Sequence, residues 1–145
     1  MRVTGRILGL DLGRRRVGVA LTDELLISAQ PLPPLEIRNL TDLLDQLAPL
    51  IARNGVAQIV LGRPTNLDGS DTDATGLADM ARDKIAKRFG LPVHLYDERF
   101  TSKIAQQAIF QSGQKLKNRK KALDSISASI ILSDFLKFYV EKDPD

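Results

Sequence analysis

Arg6-Ile7-Leu8-Gly9-Leu10-Asp11-Leu12-Gly13-Arg14-Arg15-Arg16-Val17-Gly18-Val19-Ala20-Leu21 is the stretch on which the fold turns. Arg6–Asp11 is short and apolar and closes at Gly13, and Val17–Leu21 is apolar again. Two such runs joined by a tight turn predict an antiparallel hairpin. The next extended segment is Leu32–Ile37, where the cluster Pro31, Pro33 and Pro34 forbids helix and suits an edge strand. Three strands in succession therefore begin the fold.

The period then changes. Leu40, Leu43, Leu44, Leu47, Leu50 and Ile51 fall at helical spacing behind an Asn39 or Thr41 cap, with Gly55 as a stop. Pro49 lies inside this helix and predicts a kink or a shortened last turn. Gln58–Leu61 reads as a buried strand ending at Gly62, and the polar residues 65–73 as a loop. Leu77, Met80, Ala81, Ile85 and Phe89 predict a second helix, ended by Gly90-Leu91-Pro92. Val93–Glu98 is the fifth strand, Ile104–Phe110 sits in a third helix, and Ala122–Tyr139 forms a fourth. Strands joined through helices of this length are parallel neighbours. The expected fold is α/β: a mixed five-stranded sheet, antiparallel in its first strands and then parallel, with helices on both faces. That is the RNase H-like arrangement.

Composition narrows the chemistry. The 145 residues show no composition break and no Ser/Gly-rich linker, so residues 1–145 read as a single domain. There is no cysteine and only one histidine, His94, which excludes thiolate nucleophiles, disulfides and Cys- or His-rich metal sites. His94, one residue from Val93, reads as a packed strand residue rather than a general base. No apolar window reaches the length of a signal peptide or a membrane span, so a cytoplasmic protein is expected. The net charge of +3 says little, but Arg14, Arg15 and Arg16 run together, and Lys115, Lys117, Arg119, Lys120 and Lys121 crowd a segment with no acid among them.

Carboxylates stand at the ends of otherwise buried strands. Asp11 ends the first and Glu98 the fifth, and in an open α/β sheet sites form at the carboxyl ends of parallel strands. Asp124, in the first turn of the last helix, adds a third acid, with the small residues Ser127 and Ala128 one turn on, which leaves room for an ion. Buried carboxylates need a cationic partner. Oxygen-only ligands suit Mg²⁺ or Mn²⁺. Two such ions roughly 3.5–4 Å apart can activate water and stabilise the leaving oxygen of a phosphodiester displacement. Asp11, Glu98 and Asp124 are thus the expected catalytic and metal-binding residues. Asp97 is the alternative to Glu98, because neighbouring strand residues point to opposite faces. Arg14, Arg15, Arg16, Arg63, Arg99 and the basic segment at 115–121 are the expected nucleic-acid contacts, since backbone charge dominates such binding. The aromatic residues fall mostly at core-like positions, so no stacking platform for single-stranded bases is expected.

Four motifs carry a resemblance. Ile7-Leu8-Gly9-Leu10-Asp11-Leu12-Gly13 with Val17-Gly18-Val19-Ala20, Val60-Leu61-Gly62-Arg63-Pro64 with Asn66-Leu67-Asp68-Gly69-Ser70, Asp97-Glu98-Arg99-Phe100-Thr101, and Leu123-Asp124-Ser125-Ile126-Ser127-Ala128 stand in this order. Together they resemble the YqgF/RuvX-type pre-16S rRNA nucleases over nearly the whole chain. That family is similar in fold to the RuvC-type Holliday-junction resolvases. The resemblance implies an RNase H-like nuclease maturing the 5′ end of 16S rRNA in the bacterial cytoplasm, with structured RNA as partner and the family's acids falling on Asp11, Glu98 and Asp124. The sequence departs from the pattern at Arg14, where the family often has Thr, and at Ser127, where it usually has Ala.

Three other readings compete. A junction resolvase acting on branched DNA differs only in substrate. A binding module for RNA or the ribosome would keep the fold without turnover. Asp-Leu-Gly followed by a glycine-bearing hairpin also resembles the phosphate loop of actin- and hexokinase-like ATPases, but those close two such domains over the nucleotide and this chain has length for one. The sequence does not fix the oligomeric state.

Overall fold

A computed structural model describes residues 5–64, 75–97 and 125–137. The strands are β1 (Arg6–Leu12), β2 (Arg16–Thr22), β3 (Ala29–Glu36), β4 (Val56–Arg63) and β5 (Val93–Asp97), and the helices between them are α1 (Leu40–Asn54) and α2 (Thr75–Phe89). A further helix, α3, occupies the described residues 125–137. The strands form one sheet in the order β3-β2-β1-β4-β5. β2 is antiparallel to β1 and β3, whereas β1, β4 and β5 run parallel. This is the mixed RNase H-like sheet that the motif order predicted.

Alternation of side chains along the strands divides the core in two. Leu8, Leu10, Val17, Val19, Ile59 and Leu61 face α1 and α2, where Leu43, Leu47, Ala78, Ala81 and Ile85 are buried with them. Ile7, Ala20 and Val60 face the other way, onto Ala128, Ile131, Leu132 and Leu136 of α3. Helices thus cover both faces, which is why β1 and β4 read as continuous apolar runs.

Gly9 sets how closely α3 approaches. A Cβ at this position would lie 3.0 Å from Leu132 Cβ and 3.2 Å from the Ala128 carbonyl oxygen. A methyl group there would be tight against both, so α3 packs directly on the backbone of the central strand. The small Ala128 therefore serves close packing, and its space is taken by β1.

The structure corrects three expectations. β3 begins at Ala29 rather than Leu32 and ends at Glu36. Prolines are tolerated there because β3 is an edge strand and pairs only on its β2 side. A register shift accompanies them: Val17 pairs with Leu35 but Val19 with Leu32, leaving one extra residue on β3. Next, α1 runs through Pro49 to Asn54, where Gly55 caps it in the left-handed conformation. Pro49 and Asp45, whose carbonyl its missing N–H would have bonded, are both on the exposed side, open to solvent. Asn39 is the N-cap, its Oδ1 accepting from the Asp42 N–H at 2.8 Å. Finally, Met80 is 52% exposed. The buried stripe of α2 is Thr75, Ala78, Ala81 and Ile85, and its small Ala78 and Ala81 bring the helix close to the sheet. The loop expected at 65–73 and the helix expected at 104–110 lie outside the described residues.

Candidate active site at the carboxyl edge of the sheet

Asp11 lies next to the end of β1, the central strand, and is half-buried. Ile7 and Gly9 face α3, so Asp11, two residues further on, shares that face. Its neighbour on β2 is Gly18. On the other side Leu10 pairs with Leu61 in parallel register, which puts Gly62 beside Asp11. The positions directly beside Asp11 on both adjoining strands are therefore glycine. The next residue in the same row is Tyr96, the register partner of Gly62.

β1 then turns sharply. The Gly13 N–H donates to the Arg16 carbonyl at 2.9 Å, and a Cβ on Gly13 would sit 2.5 Å from that same oxygen. Only glycine allows this turn, which holds Arg14 and Arg15 in solvent and Arg16 half-buried just beyond Asp11.

Arg63 is placed differently. It ends β4 on the face of Leu61, and its guanidinium reaches α2, with Nε 3.0 Å and Nη2 3.3 Å from the two carboxylate oxygens of Asp79. This forked pair holds the Asp79 carboxyl below its ordinary range. Asp97 is the register partner of Arg63. It shares the face of Val93 and Leu95, which pack toward α2, so both residues lie on the side of the sheet away from Asp11. Of the other expected site residues, Glu98, Arg99, Lys115, Lys117, Arg119, Lys120, Lys121 and Asp124 lie outside the described residues. Among the described residues, no three His, Asp or Glu side chains form a metal-binding group.

Two contacts that the sequence did not disclose anchor α3. The Ser125 hydroxyl donates to the Leu32 carbonyl at 2.6 Å and accepts from the Val19 N–H at 3.4 Å. Val19 and Leu32 face each other at the shifted part of the β2–β3 register, so one buried hydroxyl ties the helix to two strands. Further along, the Tyr96 hydroxyl donates to Asp134 at 3.1 Å. Burial, then the Asp134 charge, pushes the phenol up to about 12, so Tyr96 stays a neutral donor. His94 is on the same face, its Nε2 2.5 Å from Gln58 Oε1 and its ring 5.1 Å from that of Phe135. Desolvation pushes its pKa down, which suits the packed neutral ring expected from sequence.

Comparison with known proteins follows from this geometry. The sequence profile of the RuvX family, described as "Holliday junction resolvase", matches residues 5–138. The chain belongs to the RuvX family. Among curated relatives, a protein of Koribacter versatilis is 42% identical over 135 residues, covering 93% of this chain and 88% of the relative. One of Dechloromonas aromatica is 35% identical over 133 residues, covering 92% and 91%. Both carry the name "Putative pre-16S rRNA nuclease". Among solved structures, Thermus thermophilus RuvC in complex with a Holliday junction superposes with a TM-score of 0.58 at 13% identity, covering 94% of this chain and 96% of RuvC. At that identity the likeness establishes the fold, and this RuvX chain shares it. Among the described residues no helix is long and apolar enough to cross a membrane.

Proposed function

We propose that this RuvX-family chain is a divalent-metal nuclease that matures the 5′ end of pre-16S rRNA in the cytoplasm. The observation that carries the proposal is the setting of Asp11: a half-buried carboxylate at the carboxyl end of the central strand, flanked in its row by Gly18 and Gly62, on the face that α3 covers. Close relatives named as pre-16S rRNA nucleases supply the substrate.

In this reading Asp11, Glu98 and Asp124 hold Mg²⁺ or Mn²⁺. An oxygen-only donor set fits such hard cations. The bound metal would polarise the phosphodiester and make water a nucleophile at neutral pH. The chain's own residues orient the parts. Gly9 lets α3 sit against β1, Ser125 fixes the described start of α3 next to Asp124 in sequence, and Arg14–Arg16 offer charge to the substrate backbone beside Asp11. Arg99 and the 115–121 segment are assigned to phosphate contacts from sequence. Arg63 takes a structural role, since its fork is engaged by Asp79 on the opposite face.

Asp97 lies on the face away from Asp11, which leaves Glu98, the next residue in sequence, as the second acid in our reading. Cleavage of a 5′-extended 16S rRNA precursor by Asp97→Asn and Glu98→Gln separates the two. Glu98→Gln is expected to lose at least 100-fold in rate while Asp97→Asn stays within a few-fold of wild type; the reverse ranking would overturn the assignment. The family description favours a second reading, a nuclease for four-way DNA junctions, which differs in substrate and not in the acids.

A further inference from the structure

Beyond the turn at Gly13, the hairpin tip does not hang in solvent. The Ile37 N–H donates to the Arg15 carbonyl at 2.7 Å, and Arg16 is in register with Glu36. The tip is thereby fastened to the junction between β3 and α1. On that junction the Arg38 N–H donates to Asp42 Oδ2 at 2.9 Å, so the backbone that presents Arg38 is fixed as well. The Arg38 side chain is 88% exposed, with its Nε 3.7 Å from Asp42. Between tip and junction runs an open groove of about 680 Å³, lined by Arg15, Arg16, Glu36, Ile37, Arg38 and Asp42.

The charge and the wall chemistry identify what fits. Arg14, Arg15, Arg16 and Arg38 stand in or beside the groove against two acids, Glu36 and Asp42. Asp42 spends its carboxylate on the Arg38 N–H, which, followed by a hydrogen bond from Gln46, holds it below its ordinary range. Among the described residues no aromatic ring lines the groove to stack on a base. Exposed arginines on a fixed backbone suit a phosphate backbone read for charge and position.

The position of the groove relative to Asp11 sets the reach. Arg16 is two residues along β2 from Gly18, the partner of Asp11, and Glu36 is one strand across from Arg16. With strand rise about 3.3 Å and strand spacing about 4.8 Å, Glu36 falls about 12 Å from Asp11, with Arg38 two residues beyond it. At about 3.4 Å per nucleotide along one strand of a duplex, that is the span of about four nucleotides.

We infer that this groove, with Arg38 as its outer residue, binds the sugar–phosphate backbone of the nucleic acid two to four nucleotides from the bond cut at Asp11. The inference rests on the nuclease reading above and extends it to a flanking subsite on the β3–α1 side.

The test is equilibrium binding of RNA hairpins across a salt series, in the Asp11→Asn background so that nothing is cut. Arg38→Ala and Arg15→Ala are compared with the parent and with Arg38→Lys. For a hairpin with a full flank, each Ala variant should flatten the slope of log K against log salt by about 0.9 and weaken binding several-fold at 100 mM salt, whereas Arg38→Lys keeps the slope. For a hairpin trimmed to end at the cleavage site, the variants should match the parent. Unchanged slopes on the full flank, or equal losses on the trimmed one, would overturn the inference. Cleavage separates the two claims. If the otherwise wild-type Arg38→Ala cuts precursor RNA and the binding slope is unmoved, the groove reading fails and the nuclease reading stands. If wild type cuts no RNA but the Arg38 slope change is present, the groove stands and the nuclease reading fails.

Discussion

Replacing Ser125 by Ala removes one hydroxyl and leaves the rest of α3 in place. The lost groups are a part-buried 2.6 Å hydrogen bond to the Leu32 carbonyl and a weaker, buried 3.4 Å contact from the Val19 N–H. A net buried hydrogen bond contributes about 0.5–1.5 kcal/mol, and stranding its acceptor adds to that. The expected loss is about 1.5 kcal/mol, or a Tm lower by roughly 3–6 °C for a chain of this length. Urea denaturation should show a lower midpoint with the same m value, since the surface exposed on unfolding does not change. Ser129→Ala is the control. Its hydroxyl donates within its own helix to the Ile126 carbonyl at 2.8 Å, a local bond that tethers no strand. Its loss should stay below about 0.5 kcal/mol. If Ser125→Ala costs no more than Ser129→Ala, the hydroxyl does not clamp α3 to the sheet.

Gly9→Ala should destabilise by about 1–3 kcal/mol, because its Cβ meets Leu132 and the Ala128 carbonyl and must push α3 outward; wild-type stability in a denaturant titration would contradict the close approach. His94 gives a pH dependence. Its folded pKa lies below the ordinary value of 6.5, so the neutral ring's contribution is complete above 6.5 and is lost as pH falls, when the unfolded chain takes up a proton that the folded one resists. Urea midpoints measured from pH 8 to pH 5 should fall for wild type and fall less for His94→Gln. Asp79, lowered from 3.8 by Arg63, acts in a separate, more acidic window.

The sheet was legible because its signals were local. The turn at Gly13, the change of period at Leu40 and the caps Asn39 and Gly55 each mark a boundary by backbone chemistry. The place of Asp11 near the end of an apolar strand, before a tight turn, was legible for the same reason. Facing was harder to read. Val93-His94-Leu95-Tyr96-Asp97 offers mid-sized residues to both sides, so sequence contrast left the register of β5 open until packing against α2 and α3 resolved it. Counting two residues on from buried Leu61 could have put Arg63 on the α2 face, but nothing in the sequence pairs it with Asp79, sixteen residues away. Ser125 was invisible because its partners, Val19 and Leu32, are over ninety residues distant and bond through backbone atoms, which carry no residue signature. Met80 was misread because hydropathy favours its burial, whereas the close contact of α2 with the sheet selects the smaller Ala78 and Ala81.

The most direct test compares wild type with Asp11→Asn on a 5′-extended 16S rRNA precursor and on a four-way DNA junction, with Mg²⁺ or Mn²⁺ and then with EDTA. The account predicts that wild type with metal cuts the RNA at its 5′ extension and spares the junction, and that both the substitution and chelation abolish cutting. Full cleavage by Asp11→Asn, or cleavage that survives EDTA, would contradict it.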